Sequence, residues 1–288
     1  MNDKVKLNTY AFITVFLWAS AFPLTKLACE QFSPNSLGLT RCVVAALLLI
    51  IIGKASHIRK PFHKKDILYF ACAGGMGFTL YMIFFNTGML TLTSATSSII
   101  IASTPIMTAI GASILYREKI GAAGWISIIL AFIGVVVLLM WDGILSVNTG
   151  LLWTIAAAIV FCIYNLLNRR LSSMGYTSLE IVTYSMICGA LMLMIFLPET
   201  VETLHNVDLK SLLIAIYMGI MPSAVSYVLW AKAMGLAKRT NEVTNYMFVT
   251  PLLSTVMGFL MLHEIPDMGT FIGGTVIIVS VIIFNAKG

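Results

Sequence analysis

Ten apolar runs fill the chain, and their length decides what it can fold into. Each is about as long as the ~20-residue helix that crosses a ~30 Å hydrocarbon layer. The runs are continuous rather than alternating, which favours helices over the strands of a membrane barrel. They span approximately residues 8–28, 37–53, 67–90, 94–115, 122–141, 150–168, 177–197, 211–234, 242–262 and 267–286. The sequence therefore predicts an all-α membrane protein with ten transmembrane helices and no room for a soluble domain.

The composition agrees with a lipid environment. Hydrophobic residues make up 59% of the chain and charged residues 10%, whereas soluble domains carry about 25% charged residues. The mean hydropathy is +0.95. Lys4 and Lys6 precede an apolar run that contains Ala19-Ser20-Ala21, as in a signal peptide. The run continues to Ala28 and nine more follow, which favours a first transmembrane helix.

Lysine and arginine lie mainly on alternate connections, which predicts the orientation in the membrane. With the N-terminus inside, the even connections carry the cations, while the odd ones carry mainly acids and Lys210. The cations of the even connections are Lys54, Arg59, Lys60, Lys64, Lys65, Arg117, Lys119, Arg169, Arg170, Lys238 and Arg239. By the positive-inside rule both termini are cytoplasmic. These short flanks explain the pI of 9.1, so a nucleic-acid partner is not indicated.

The sequence contains no motif for a metal or a cofactor. The five cysteines lie singly in apolar segments without CxxC spacing, and we interpret them as packing residues. The histidines fall in loops, and His263-Glu264 is not followed by a second histidine at helical spacing. Gly74-Gly75-Met76-Gly77 lies inside an apolar run and predicts close helix packing rather than a phosphate loop. We expect neither a metal nor a cofactor.

One polar pattern occurs twice at the same spacing. Thr104-Pro105 is followed by Glu118, and Thr250-Pro251 is followed after the same interval by Glu264. Each proline lies near the middle of an apolar run and each glutamate just beyond its end, so each copy predicts a helix kinked near the membrane centre. Further pairs, at offsets of 146 or 143 residues, are Tyr81 and Tyr227, Trp18 and Phe161, and Lys26 and Arg169.

The repeat predicts two domains of five helices, residues 8–141 and 150–286. Because five is odd, the second half enters the membrane from the opposite face. Inverted repeats with interrupted helices are typical of alternating-access carriers, whose substrate site lies near the membrane centre. We therefore expect a small-molecule site between the halves, near Pro105 and Pro251.

The first two helices carry motifs that resemble a known family. Leu17-Trp18-Ala19-Ser20-Ala21-Phe22 lies in the first helix and Leu39-Thr40-Arg41 in the second. With the five-plus-five arrangement and the two proline-to-glutamate stretches, they are similar over the whole chain to the EamA family of the drug/metabolite transporter superfamily.

The resemblance implies a permease of the bacterial inner membrane that most often exports amino acids or related metabolites. It also implies a cavity framed by helices one to four of each half, with the fifth and tenth helices peripheral. The substrate stays open, because members move amino acids, purine-related compounds, S-adenosylmethionine, riboflavin and amines.

Arg41 lies about one turn into the second helix, and a charge at the bilayer centre costs about 2.5–3.5 kcal/mol. Its planar fork suits a substrate carboxylate, which it can bind with two hydrogen bonds. The alternative is a side chain that extends to the interface and pairs with Glu30 or a helix end. Lys26 and Lys232 stand near helix ends, where extension to the interface is the expected behaviour.

Aromatic and amide side chains within the runs are further candidates for binding substrate. Rings suit an aliphatic, aromatic or cationic substrate and amides suit a zwitterion, while packing and interhelical hydrogen bonding are equally open. The candidates are Trp18, Tyr81, Tyr227 and Trp230, together with Asn86, Asn165 and Asn245. The repeat favours Trp18 and the pair Tyr81 and Tyr227.

Three prolines interrupt the runs. Pro105 and Pro251 each free the carbonyl four residues earlier, which suits an ammonium or hydroxyl group of the substrate. Alternatively, the threonine before each proline satisfies that carbonyl and the kink serves as a hinge. Pro222 breaks the eighth run, and its counterpart in the first half is Met76. We expect the two halves to differ in mobility at this level.

Glu118 and Glu264 follow the C-terminal ends of their helices, where a carboxylate opposes the helix dipole. The next helix starts within a few residues, and its free N–H groups are the expected partners, so we interpret both residues as caps of the helical turn. A proton-coupling role is the alternative. Glu242 and Glu180 are weaker candidates for such coupling.

These features predict a secondary transporter that exports amino acids or similar metabolites, driven by the proton gradient, although no intramembrane acid requires protons. An uptake carrier of the same fold, for a nucleoside-, cofactor- or amine-type metabolite, differs only in the direction of flux. An intramembrane enzyme ranks below both, because no Asp or His lies in the centre of a run. Glycines in the fifth and tenth runs can pack against each other or another subunit, so a monomer and a homodimer both stay open.

Overall fold

The apolar runs form ten helices in the computed structural model, which describes residues 3–55, 63–117, 119–141, 149–236, 243 and 245–287. The first half contains α1 (Asp3–Ala28), α2 (Pro34–Ala55), α3 (Lys64–Met89), α4 (Ser94–Leu115) and α5 (Ala122–Met140). The second half contains α6 (Thr149–Ser173), α7 (Ser178–Asn206), α8 (Leu209–Ile220, Met221–Val225 and Ser226–Leu236), α9 (Asn245–Phe248 and Val249–Leu262) and α10 (Met268–Lys287).

Seven of the described helices are long and apolar enough to cross a membrane, and α5, α9 and α10 are shorter apolar helices. The prediction of an all-α membrane protein with ten helices is confirmed. One predicted boundary is wrong, because α7 continues beyond the run at 177–197 as far as Asn206. Pro198 lies in the first turn of that continuation, Leu197–Asn206, where a proline costs no hydrogen bond.

The backbone repeats its irregular features at equivalent places in the two halves. Arg117 and His263 both have φ of 54°, a left-handed conformation that is uncommon without glycine. They are equivalent at the offset of 146 residues and each precedes a glutamate of the repeated pattern. Each therefore ends its apolar helix with the same kind of turn.

A π-helical turn interrupts α3 at Gly75–Leu80 and α8 at Met221–Val225. These two turns are also equivalent at the offset of 146 residues. Pro222 lies in the second turn and Met76 in the first, so the proline is not what produces the irregularity. Both helices are widened at this level, and the expected difference in mobility between the halves stays a prediction.

The two helices with the repeated Thr-Pro pair are interrupted just before the proline. In α4 the helix stops at Ala102 and restarts at Thr104, and in α9 the 3-10 turn Asn245–Phe248 precedes the helix from Val249. Each proline consequently lies in a first turn, where its missing N–H does no harm. The Thr104 hydroxyl donates to the Ile101 carbonyl at 2.5 Å, so this oxygen has a partner within its own helix.

Close glycine contacts hold the peripheral helices together. A methyl group on Gly134 of α5 would lie 2.8 Å from the Gly273 carbonyl oxygen of α10, and one on Gly273 would lie 2.8 Å from the Gly134 carbonyl oxygen. The glycine faces of the fifth and tenth helices therefore meet each other. Gly74 of α3 likewise contacts the backbone of α7 at Ser185, where an added methyl would lie 2.5 Å from the carbonyl oxygen, as close packing predicts.

Gly273→Ala tests the contact between α5 and α10. Because the added methyl meets backbone that cannot rotate away, we expect a loss of about 1–3 kcal/mol, as for other overpacked sites, seen as a lower thermal unfolding midpoint in detergent. The matched control is Gly121→Ala, since a methyl at Gly121 would meet nothing within 4 Å. Equal midpoints for both variants would contradict the proposed packing.

Candidate functional site

A cavity lies between the two halves and is lined by helices of both. The centres of water-sized molecules can occupy about 80 Å³ within it. The cavity therefore has room for several waters. The lining residues that the structure describes come from α1 to α4 and from α6 to α9. They are Trp18, Ala21, Phe22, Arg41, Phe78, Tyr81, Met82, Phe85, Ser98, Ile101, Ala102, Phe161, Met186, Pro222, Ser223, Tyr227, Met247 and Thr250.

The irregular backbone of the fold borders this cavity. Ile101 and Ala102 line it just before the break in α4, and Met247 and Thr250 line it where α9 changes from 3-10 to α-helix. Pro222 lines it from the π-helical turn of α8. Pro105 and Pro251 are not among the described lining residues, although their helices are interrupted beside the cavity.

Arg41 extends from α2 into the interior rather than towards the interface. The residue is only 4% exposed and lines the cavity. One terminal nitrogen donates to the Thr25 hydroxyl of α1 at 3.4 Å and the other to the Ser223 hydroxyl of α8 at 3.3 Å. The Nε atom is buried and has no hydrogen-bond partner among the described residues. The predicted alternative, an arginine paired with Glu30, does not describe this geometry.

Aromatic rings form much of the cavity wall. The Trp18 ring contacts Tyr227 edge-on with centroids 5.6 Å apart, and its indole Nε1 donates to the Pro222 carbonyl at 3.1 Å. In α3, Tyr81 stacks on Phe85 with centroids 5.4 Å apart. The pair favoured by the repeat, Tyr81 and Tyr227, is thus brought to one cavity together with Trp18.

The remaining sequence candidates lie outside the described lining. Asn86 is fully buried and its amide donates to the Pro34 carbonyl at the start of α2 at 2.9 Å. The Asn165 amide donates to Thr108 at 3.4 Å, which joins α6 to α4. Trp230 packs behind Trp18 with ring centroids 5.1 Å apart. These three side chains serve contacts between helices or rings, and the side chain of Asn245 lies outside the described part of the structure.

Sequence reasoning missed the phenylalanines of the wall. They are Phe22, Phe78, Phe85 and Phe161. Phenylalanine is common in every apolar run, so the residue type alone does not separate a cavity wall from a lipid-facing or packed ring. The repeat could have identified one of them, because Phe161 is the counterpart of Trp18.

Glu264 joins three elements at the end of the bundle where α1 ends. Its Oε1 atom accepts from Lys26 of α1 at 2.6 Å, and its Oε2 atom accepts from the backbone N–H of Ser94 at 2.8 Å. Ser94 begins α4, so the carboxylate lies at the positive end of that helix dipole. The prediction that Glu264 caps the following helix, α10, is therefore wrong. Glu264 binds the start of α4, and α10 is capped by Asp267, which accepts from the Thr270 N–H.

Two features of α9 make room for this carboxylate. A methyl on Gly258 would lie 2.8 Å from Glu264 Oε2, and the left-handed turn at His263 brings the Glu264 N–H back to the Gly258 carbonyl at 3.3 Å. Lys26 consequently ends in an ion pair at this end of the bundle. The other copy of the pattern ends at Glu118, which lies outside the described residues.

We expect Glu264→Gln to destabilise the protein, because Lys26 would lose its ionised partner in a mostly shielded place. The expected loss is about 1–3 kcal/mol, on the scale of a shielded polar group left unpaired, and is measured as a lower thermal unfolding midpoint in detergent. Gly258→Ala should act in the same direction by displacing the carboxylate. Glu199→Gln, at an exposed carboxylate of α7, is the control, and a loss of the same size there would count against the ion pair.

The chain is similar in sequence and in fold to known proteins. The model of the EamA-like transporter family matches residues 6–140 and again residues 148–286. The predicted bounds of the two domains, 8–141 and 150–286, divide the chain at the same connection and otherwise stay predictions. A solved crystal structure superposes with a TM-score of 0.62, at 17% identity, over 98% of this chain and 97% of its own.

Three relatives are similar over nearly the whole chain. The uncharacterized transporter YdfC of Bacillus subtilis is 27% identical over 92% of this chain and 86% of its own length. A probable terminal-alkyne amino-acid exporter of Streptantibioticus cattleyicolor is 26% identical over 96% of this chain and 92% of its own. An uncharacterized transporter of Archaeoglobus fulgidus is 26% identical over 96% and 97%.

Proposed function

Because the chain belongs to the EamA-like transporter family, we propose that it is a secondary active transporter that exports amino acids or related small metabolites by alternating access. The observation that carries this proposal is the cavity that both halves line beside their interrupted helices. Substrate sites of inverted-repeat carriers lie at such interrupted helices between the repeats. The relative named as a probable amino-acid exporter supports the substrate class and the direction.

The charges of the connections support the proposed setting. With both termini in the cytoplasm of a bacterium, the cation-rich connections face inward across the inner membrane. We expect the proton gradient to drive export, with no covalent step. The described residues that line the cavity include no Asp, Glu or His, so protons would bind at another residue or travel on the substrate itself.

Counterflow in proteoliposomes tests the transport proposal. Vesicles loaded with an unlabelled amino acid, carboxylic acid, amine or nucleoside should accumulate the labelled form of the substrate transiently, and protein-free vesicles should not. An imposed pH gradient should then drive net movement of the same solute. Failure to exchange any solute of the panel would remove the main support for transport, and movement in whole cells distinguishes export from uptake.

The hinge role of Pro105 and Pro251 is tested by replacing each with alanine. Restoring the helix N–H should straighten the interrupted helix, so the maximal exchange rate should fall several-fold while the half-saturating concentration changes little. Pro198→Ala, in the first turn of a mainly exposed helical segment, is the control. Unchanged exchange rates in both hinge variants would refute the hinge role.

A further inference from the structure

We propose that the cavity selects small organic anions, carboxylates whose body is apolar and carries no ammonium group. The inference rests on the proposed transport function and narrows its substrate class. Among amino-acid-like metabolites, it favours deaminated or N-acylated acids over the free amino acids.

Arg41 offers the anchor for the carboxylate of the ligand. Arg41 has five N–H donors in a planar fork, and the described structure gives it only two long hydrogen bonds, to Thr25 at 3.4 Å and Ser223 at 3.3 Å. Neither the ion pair of Lys6 with Asp3 nor that of Lys26 with Glu264 involves Arg41, and its two hydrogen-bond partners among the described residues are hydroxyl groups rather than carboxylates. A buried cation in this state gains from an anion supplied by the ligand.

The described lining of the cavity offers no acid to a positively charged group on the ligand. Among the described residues that line the cavity, Arg41 is the charged side chain and no acid occurs. An ammonium group brought into this space would lose its hydration and meet rings, methyl groups and a few hydroxyls. The Ile101 carbonyl, which Pro105 frees, already accepts from the Thr104 hydroxyl. The ammonium group would also be repelled by the guanidinium, so a zwitterion or amine gains less from binding than an anion of the same shape.

The repeat explains why the cavity carries charge on one side. The counterpart of Arg41 at the offset of 143 residues is Tyr184, which is not among the described lining residues. The carboxylate of the ligand is therefore directed to Arg41 of α2, beside Thr25 and Ser223. The body of the ligand is left to the rings of the lining, where Tyr81, Phe85 and Phe161 offer faces and edges suited to an apolar group.

A series of ligands with one shared benzyl body tests this selectivity. The probes are phenylacetate, phenylacetamide, L-phenylalanine and phenethylamine, titrated calorimetrically into the full chain in lipid nanodiscs. We expect phenylacetate to bind about tenfold or more tightly than phenylalanine, the scale of one polar group taken out of water without a partner, and the amide and the amine to bind more weakly still. The proposal is overturned if phenylalanine or phenethylamine equals phenylacetate, or if phenylacetate does not bind.

Arg41→Gln should abolish the preference for phenylacetate over phenylacetamide, and Arg41→Lys should keep part of it because charge is retained and the fork is lost. Arg170→Gln, an exposed cation at the end of α6, should bind as the unaltered protein does. Should Arg41→Gln unfold, the ligand series on the unaltered protein decides alone. Unchanged phenylacetate affinity in folded Arg41→Gln overturns the proposal.

Counterflow of labelled phenylacetate keeps the two proposals separable. Exchange of solutes without the predicted order of affinities refutes the anion selectivity and leaves transport standing. The predicted order of affinities with no exchange of any solute refutes transport and leaves the binding selectivity standing.

Discussion

The requirement that every backbone polar group inside a membrane find a partner governs this structure. Lipid offers no hydrogen bonds, so irregular backbone is tolerated only where protein or a wet cavity surrounds it. In this chain the break at Ser103, the 3-10 turn Asn245–Phe248 and the π-helical turn Met221–Val225 all adjoin the lining of one cavity. The peripheral helices α5 and α10 are uninterrupted. These three irregular segments and the candidate site are therefore consequences of the same constraint.

Charged side chains of the apolar helices also need partners, and Lys26 and Arg41 find different ones. Lys26 meets Glu264 at 2.6 Å, and the carboxylate also accepts from the start of α4, so this charge is neutralised and ties helices together. Arg41 is more deeply buried and is held by two hydroxyl groups. A cation that the fold surrounds without neutralising is suited to a ligand, whereas a paired cation is suited to holding one end of the bundle.

Repetition made several parts of the site predictable. Tyr81, Tyr227 and Trp18 line one cavity, as expected where the substrate site of a carrier lies at the interface of its repeats. Polar character was a weaker guide: Asn86 is as polar as any candidate, yet its amide bonds the Pro34 carbonyl. A buried amide between helices and an amide in a cavity satisfy the same chemistry, so the residue type does not distinguish them.

Local pattern alone determined the ten helices, their division into two halves and the place where two of them bend, because the span of a bilayer and the missing N–H of proline act on short stretches of chain. Only the tertiary structure decided that Glu264 caps α4 instead of α10, that α5 packs on α10, and that Arg41 extends inward. These partners lie in different helices, and each of the three cases includes a partner from the opposite half of the chain. The distance between them is set by packing rather than by sequence spacing.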